Sequence, residues 1–217
     1  VIGEADQIEV VFQDETKLKA ELIGRDPKVD IAVLKVESKK KLKALKWGDS
    51  SDSKVGDWVL AIGNPFGLGG TVTAGIISAK SRDIGMGQYD SFIQTDASIN
   101  KGNSGGPMFN MDGEIIGINS AIFSPTGGSV GIGFAIPSTM AVDVIKQLKK
   151  FGKTSRGWLG VRIQPVTEEI AEAYGLDSPK GALVASVENN SPSLKAGVKP
   201  GDIISVSYTH LTLPTKA

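Results

Sequence analysis

"NKGNSGGPMFN", residues Asn100–Asn110, sets Ser104 in a run of glycines. Gly102-Asn103-Ser104-Gly105-Gly106 satisfies G-x-S-x-G, the nucleophile-elbow pattern, which needs a strand before the serine and a helix after it. Here Pro107 and "MFNMDGEIIGI" follow, which read as a strand, a tight turn at Asp112-Gly113 and another strand. The elbow therefore fails on context, and a parallel α/β sheet fails with it. The other serine arrangement belongs to β-barrels, with chain order His, Asp, Ser. There the glycine two residues before the serine turns its backbone N–H toward the developing oxyanion, beside the serine's own N–H. Each such donor can supply about 3 kcal/mol of transition-state stabilisation. Gly102 and Ser104 have that spacing, and Gly105-Gly106 let a substrate backbone approach closely. Taken alone, the same stretch also reads as a structural Gly-rich turn, so the rest of the chain must decide.

Composition points the same way. The 217 residues include 27 glycines, well above average usage, and only 6% are aromatic. The core must be built from Val, Ile, Leu and Ala. Lys+Arg and Asp+Glu balance at 24 each, so no overall field draws the chain to nucleic acid or an anionic membrane. The lysines of "SKKKLKALK" (Ser38–Lys46) read as a solvated loop, with no aromatics interleaved. No cysteine is present, so thiol catalysis and disulfides are excluded, and a single histidine leaves no His/Cys zinc site. No metal or other cofactor is expected. The chain opens "VIGEADQIEVVF" without an initiator Met or a signal peptide and reads as a fragment entering a fold midway.

Along the first 150 residues, short runs rich in Val, Ile and Thr alternate with Gly, Pro, Asp and Asn clusters. "QIEVVF", "LKAELIG", "IAVLKV", "WVLAIG", "TVTAGIISA", "FIQTD", "EIIGINSAI" and "GIGFAI" are the predicted strands. Strands at this spacing without intervening helices indicate an all-β sandwich or barrel. One helix stands out in "IPSTMAVDVIKQLKKFGK". Ser138 is the expected N-cap, Ala141, Val144, Ile145 and Leu148 share a face, and Gly152 is the stop. A polar linker follows, residues 153–157. From Trp158 a second unit alternates strands with a helix capped by Thr167 and a short helix opening at Ser191-Pro192. At under 50 residues it looks cut short.

"GRDPKVDIAVLKV" places Asp30 immediately ahead of an apolar strand, where a buried carboxylate needs a hydrogen-bond donor. An imidazole N–H is the donor this chemistry supplies, because the aspartate fixes the tautomer and stabilises the imidazolium. By itself Asp30 reads more readily as a turn residue.

Together these segments resemble the trypsin-like HtrA/Do (DegP-like) family of serine proteases. The resemblance is carried by "GRDPKVDIAVLKV", "VGDWVLAIGNPFGLGGTVTAGIISA", "FIQTDASINKGNSGGPMFNMDGEIIGINSAI" and "GGSVGIGFAIPS", then by "RGWLGV" and "SPSLKAGVKPGDII". It covers Val1 to about Ser205. It implies a chymotrypsin-like double β-barrel over residues 1–152, its first barrel incomplete, followed by a truncated α+β PDZ domain over residues 158–205. By family correspondence Asp30 is the triad aspartate, Ser104 the nucleophile, and Gly102, Asn103 and Ser104 the oxyanion hole. Ile132, Gly133 and Phe134 would lie beside the S1 pocket, with core packing the competing role for Ile132 and Phe134. No acidic residue lies in that strand to hold a basic P1 side chain, so small and medium apolar P1 residues are expected. In the family the base histidine sits in "TNNHV", which would fall directly before Val1.

His210, the one histidine present, cannot stand in for it. It follows Ser104 by more than a hundred residues and lies beyond the linker, whereas a general base must come within about 3 Å of the hydroxyl. The resemblance stops near Ser205, and "VSYTHLTLPT" matches one reading frame of a transposon-derived adapter used in short-read library preparation. Residues 206–217 are therefore expected to be an adapter artefact.

"WLGV", residues Trp158, Leu159, Gly160 and Val161, resembles the carboxylate-binding loop of PDZ domains, where backbone N–H groups hold a peptide C-terminus. The resemblance as a whole implies a periplasmic serine endoprotease of envelope quality control, acting on unfolded polypeptides and assembling as a homotrimer or larger cage. The fragment by itself would be inactive. The alternative is a non-catalytic peptide-binding or chaperone module on the same fold.

Overall fold

The structure is a computed structural model and describes residues 2–205 other than 4, 6, 66–68 and 88. The segment read as adapter-derived, and His210 within it, lie outside the described residues. The chain divides into two compact units, residues 1–155 and 156–217.

In the first unit, β1 (Ile8–Val11), β2 (Lys17–Asp26) and β3 (Ile31–Val36) form an antiparallel sheet in that order. Val10 pairs with Leu18, and Ala20 lies between Ile8 and Val36, so one face of the sheet is apolar. Lys17, Lys19 and Glu21 alternate with Leu18 and Ala20 and are exposed. A bulge between Leu22 and Gly24 turns Gly24 and Asp26 to the opposite face of the sheet from Ala20, where both are buried.

The strands that follow close into a six-stranded barrel. They are β4 (Trp58–Gly63), β5 (Thr71–Arg82), β6 (Phe92–Thr95), β7 (Pro107–Phe109), β8 (Ile115–Ile122) and β9 (Gly133–Pro137). Their order around the barrel is β4-β5-β6-β9-β8-β7, and β7 pairs back with β4. Period-two alternation decides what each face buries. Ile93 and Ala135 point into the barrel with Val59, Ala61, Ile77, Ile99, Met108 and Ile116. Phe92, Phe134 and Ile136 point outward into a second core shared with Val29 and Ile31 of the sheet side.

Helix α1 (Ser138–Phe151) covers that second core with Ala141, Val144 and Leu148, and half-buried Ile145 packs beside them. Its start corrects the sequence reading. Pro137 occupies the N-cap position and offers no side-chain cap, while Ser138 is already helical and buried. The cap comes from elsewhere: Ser50 Oγ accepts from Thr139 N at 3.2 Å. Ser138 Oγ in turn accepts from Ser50 N at 3.0 Å and donates to Gly48 O at 2.7 Å. At the other end Gly152 adopts the left-handed conformation expected of a stop, at φ 69°.

The lysine run between β3 and β4 is an exposed coil. Lys40 pairs with Asp14 at 2.7 Å and holds that carboxyl well below its ordinary range, and Lys46 pairs with Glu114.

The second unit carries β10 (Val161–Pro165), β11 (Ala182–Val187) and β12 (Ile203–Ile204) as an antiparallel sheet in that order. Helix α2 (Glu168–Tyr174) is capped by Thr167, whose side chain accepts from Ile170 N, and it ends at left-handed Gly175. The short helix α3 (Pro192–Lys195) is capped by Ser191 with Pro192 in its first turn. Val166, Ala171 and Val184 supply a small buried core.

Candidate active site

Asp30 ends the turn of residues 27–30 that joins β2 to β3. Its backbone lies at φ 54°, a left-handed conformation that a short polar side chain tolerates better than most. The carboxylate is exposed rather than buried, which corrects the sequence expectation. The turn sets it at the wall of an open cleft, and its donor there is Ser120 Oγ, 3.1 Å from Oδ2.

Ser104 lies on the turn between β6 and β7 and is half-buried. Its Oγ donates to Ser120 O at 2.9 Å. Ser120, on β8, therefore contacts both residues, the serine through its carbonyl and the aspartate through its hydroxyl. A cleft of about 480 Å³ is lined by both Asp30 and Ser104, with Ile31, Leu34 and Ile118 as apolar wall. The sequence brings out Ser104 and Asp30 by local pattern but passes over Ser120. The signal available was a serine among the outward-facing apolar residues of β8, and only strand register carries it to Asp30.

Backbone hydrogen bonds sort the amides of the serine turn. Asn103 N donates to Asn100 O at 3.0 Å, Gly105 N to Asn119 O at 2.8 Å, and Gly106 N to Asn103 O at 3.0 Å. The Gly102 and Ser104 amides have no acceptor among the described residues. That alternation matches the donor spacing expected of an oxyanion hole, whereas the Asn103 amide is bonded within the turn. Asn103 belongs to the turn's framework and does not donate to an oxyanion in this conformation, a correction to its expected role. Gly102 has φ 107°, and a Cβ there would stand 2.4 Å from Asn64 O, so no other residue fits. Asn103 is 1% exposed, and its Oδ1 has no hydrogen-bond partner among the described residues.

The residues expected beside S1 divide. Ile132 is half-buried against the second core, and Gly133 opens β9 with its Cα facing Ile99. Phe134 is core: it is 5% exposed and packs edge-on against Phe92 with ring centroids 6.1 Å apart. Outward alternation along β9 turns Phe134 under α1, which places it in the packing role rather than on a pocket wall.

In the second unit, Trp158 and Leu159 are exposed, Gly160 is buried at φ 75°, and half-buried Val161 pairs with Val187. Leu159 O accepts from Ser193 N at 3.1 Å and from Ser193 Oγ at 2.6 Å, and Gly160 O accepts from Glu188 N at 2.8 Å. With the carbonyls spent inward, the Leu159 and Gly160 amides have no acceptor among the described residues.

Comparison with known proteins follows the same lines. A family profile described as the trypsin-like peptidase domain matches residues 1–118. The chain is 58% identical over 205 residues to the "Probable periplasmic serine endoprotease DegP-like" of Brucella suis biovar 1 (strain 1330), which covers 94% of the chain and 40% of that protein. Against the protein of the same description from Rhizobium meliloti (strain 1021) it is 56% identical over 204 residues, with 94% and 40% covered. The chain thus spans 40% of the length of these curated relatives. Among solved structures, "HtrA-type protease AlgW with tripeptide" superposes with a TM-score of 0.84 at 49% identity, covering 94% of this chain and 67% of that one.

Proposed function

The chain belongs to the trypsin-like peptidase family, among its HtrA/DegP-like serine endoproteases, and from that premise we propose that Ser104 is the nucleophile of a peptide-bond hydrolase. The observation that carries this reading is the shared cleft of Ser104 and Asp30, bridged by Ser120. A base histidine between them would accept the Ser104 proton on one ring nitrogen and donate from the other to Asp30. Ser120 would hold the aspartate's second contact. Attack on the scissile carbonyl would build an oxyanion facing the Gly102 and Ser104 amides, and collapse would give an acyl-enzyme for water to release.

The sole histidine of the sequence is His210, so the base is proposed to come from residues preceding Val1. Strands from that same segment would complete the first barrel over the apolar face of β1-β2-β3. The second unit is proposed to be a PDZ-type module. Support comes from its Trp158–Val161 loop, where amides without acceptors beside the edge strand β10 suit capture of a peptide carboxylate. Cleavage of unfolded or misfolded polypeptides by a homotrimer or larger cage is proposed from the resemblance carried by the sequence motifs, and a periplasmic setting accords with the relatives' description as periplasmic serine endoproteases.

Hydrolysis of reduced, unfolded casein tests this reading. The 217 residues alone should release no peptide above the Ser104→Ala background, because loss of the base cost about six orders of magnitude in kcat in another serine protease. The protein extended upstream to include a histidine should cleave it, and Ser104→Ala should abolish that cleavage. Ser104-dependent turnover by the 217 residues alone would contradict the assignment of the base.

A further inference from the structure

We propose that Asn100 is a positioning residue for the Ser104 site, fastening the loop between β8 and β9 to the turn that carries the nucleophile; this rests on the reading of Ser104 given above. Asn100 stands four residues before Ser104 and holds two partners at once. Its backbone O accepts from Asn103 N at 3.0 Å, which fixes the Gly102–Asn103 peptide plane lying between the Gly102 and Ser104 amides. Its side-chain Oδ1 accepts from Ser129 N at 2.9 Å.

Ser129 belongs to the segment 123–132, whose other hydrogen bonds are local. Thr126 N and Gly127 N donate to Ser124 Oγ, Gly131 N donates to Ser129 Oγ, and Phe123 N closes the loop onto Ile132 O. Packing does little to hold it, since Phe123 is 59% and Val130 50% exposed. Gly127 and Gly131 both have positive φ, which leaves the backbone conformationally free. Among the described residues, the Ser129–Asn100 bond is the one hydrogen bond that joins this loop to the nucleophile turn. The sequence has no cysteine, so a covalent tie is not available to it. One amide side chain therefore couples the loop after β8, the strand that contacts both Asp30 and Ser104, to the orientation of the two free amides. A misplacement of about 1 Å at such donors can cost on the order of 10²-fold in rate.

Steady-state cleavage of a fluorogenic peptide tests it, in the protein extended upstream to carry its base. Asn100→Ala and Asn100→Leu should lower kcat between about tenfold and a hundredfold, leave KM within about twofold, and leave the melting temperature unchanged. Asn100→Asp keeps the acceptor and should restore kcat to within about twofold of the parent. Ser129→Pro removes the donor N–H, and adding Asn100→Ala to it should cost nothing further, as expected for two halves of one interaction. In the 217-residue chain itself, the Ser129 amide should exchange slowly with solvent and lose that protection in Asn100→Ala.

An Asn100→Ala enzyme with unchanged kcat overturns the proposal. So does failure of Asn100→Asp to rescue, or a loss of activity that only tracks a loss of thermal stability. If instead Ser104→Ala leaves hydrolysis intact, the underlying reading of Ser104 has failed, and the two failures are told apart.

Discussion

At Ser104 the chemistry turns on which backbone amides are already spoken for. Asn103, Gly105 and Gly106 are bonded within the turn or to β8, and that fixed frame leaves the Gly102 and Ser104 amides without an acceptor among the described residues. Gly102→Ala should therefore lower stability by roughly 1–3 kcal/mol for the backbone alone, with the 2.4 Å approach to Asn64 O adding to it. Urea unfolding would show this as a lower midpoint at an unchanged slope. Asn103→Asp should bury a carboxyl at a site 1% exposed with no partner for its oxygen. An unpaired buried charge costs about 3 kcal/mol or more. Burial raises the folded-state pKa of that carboxyl above its unfolded value of about 3.9. The penalty is thus absent below the unfolded pKa and grows as pH rises, reaching its full size above the raised folded pKa. Unfolding midpoints of variant and parent should converge at low pH and diverge toward neutrality; a gap independent of pH would contradict the burial argument. Ser104 and Asp30 stand out as candidates by local pattern, one among glycines and the other ahead of an apolar strand, but each alone reads as a turn residue, and only the segments taken together single them out. Ser120 does not stand out, since its meeting with Asp30 depends on tertiary packing, and the two roles left open for Phe134 could not be separated because one strand's alternation does not say which of two cores each face meets.

Helix α1 shows where local patterning ends at the level of elements. Its buried face and its left-handed stop at Gly152 follow from spacing and residue type, and both are present in the structure. Its N-terminus does not, because the cap is supplied by Ser50, 88 residues before Ser138 in the chain. Loss of a capping hydroxyl typically costs about 1 kcal/mol. Ser50→Ala and Ser138→Ala should each destabilise the chain by about that amount or more, as both are buried. Because the two side chains serve one junction, the double variant should cost clearly less than the sum of the singles. Additive losses in a thermal or urea double-mutant cycle would show that the two serines act separately. The Leu22–Gly24 bulge in β2 is likewise tertiary in purpose. It brings Gly24 so close to the end of α1 that a Cβ would stand 2.4 Å from Gly152 O. A run such as "LKAELIG" predicts the strand but not the bulge, since nothing within it reports where the helix will end.

Across the whole molecule, two cores and two units divide the work. The closed barrel holds its own interior around Val59, Ile77, Ile93 and Met108, while the second core ties the barrel's outer face to α1 and the β1-β2-β3 sheet. The proposed catalytic pair straddles that division, with Asp30 on the sheet side and Ser104 on the barrel, where Ser120 of β8 contacts both. Ile77→Ala, deep in the barrel, should cost about 2–5 kcal/mol and weaken the frame of the serine turn. Strand spacing and turn residues give the strands of both sheets but leave sandwich and barrel open; closure depends on long-range pairing such as that of β7 with β4, which no local pattern reports. The central claim is that Ser104 is a nucleophile activated by a histidine seated against Asp30. Intact-mass and peptide mapping after treatment with a fluorophosphonate, on the protein extended upstream to include that histidine, tests it most directly. A single adduct on Ser104 is expected, absent in Ser104→Ala and greatly slowed in Asp30→Asn. An unmodified Ser104, or an adduct on another serine, would contradict it.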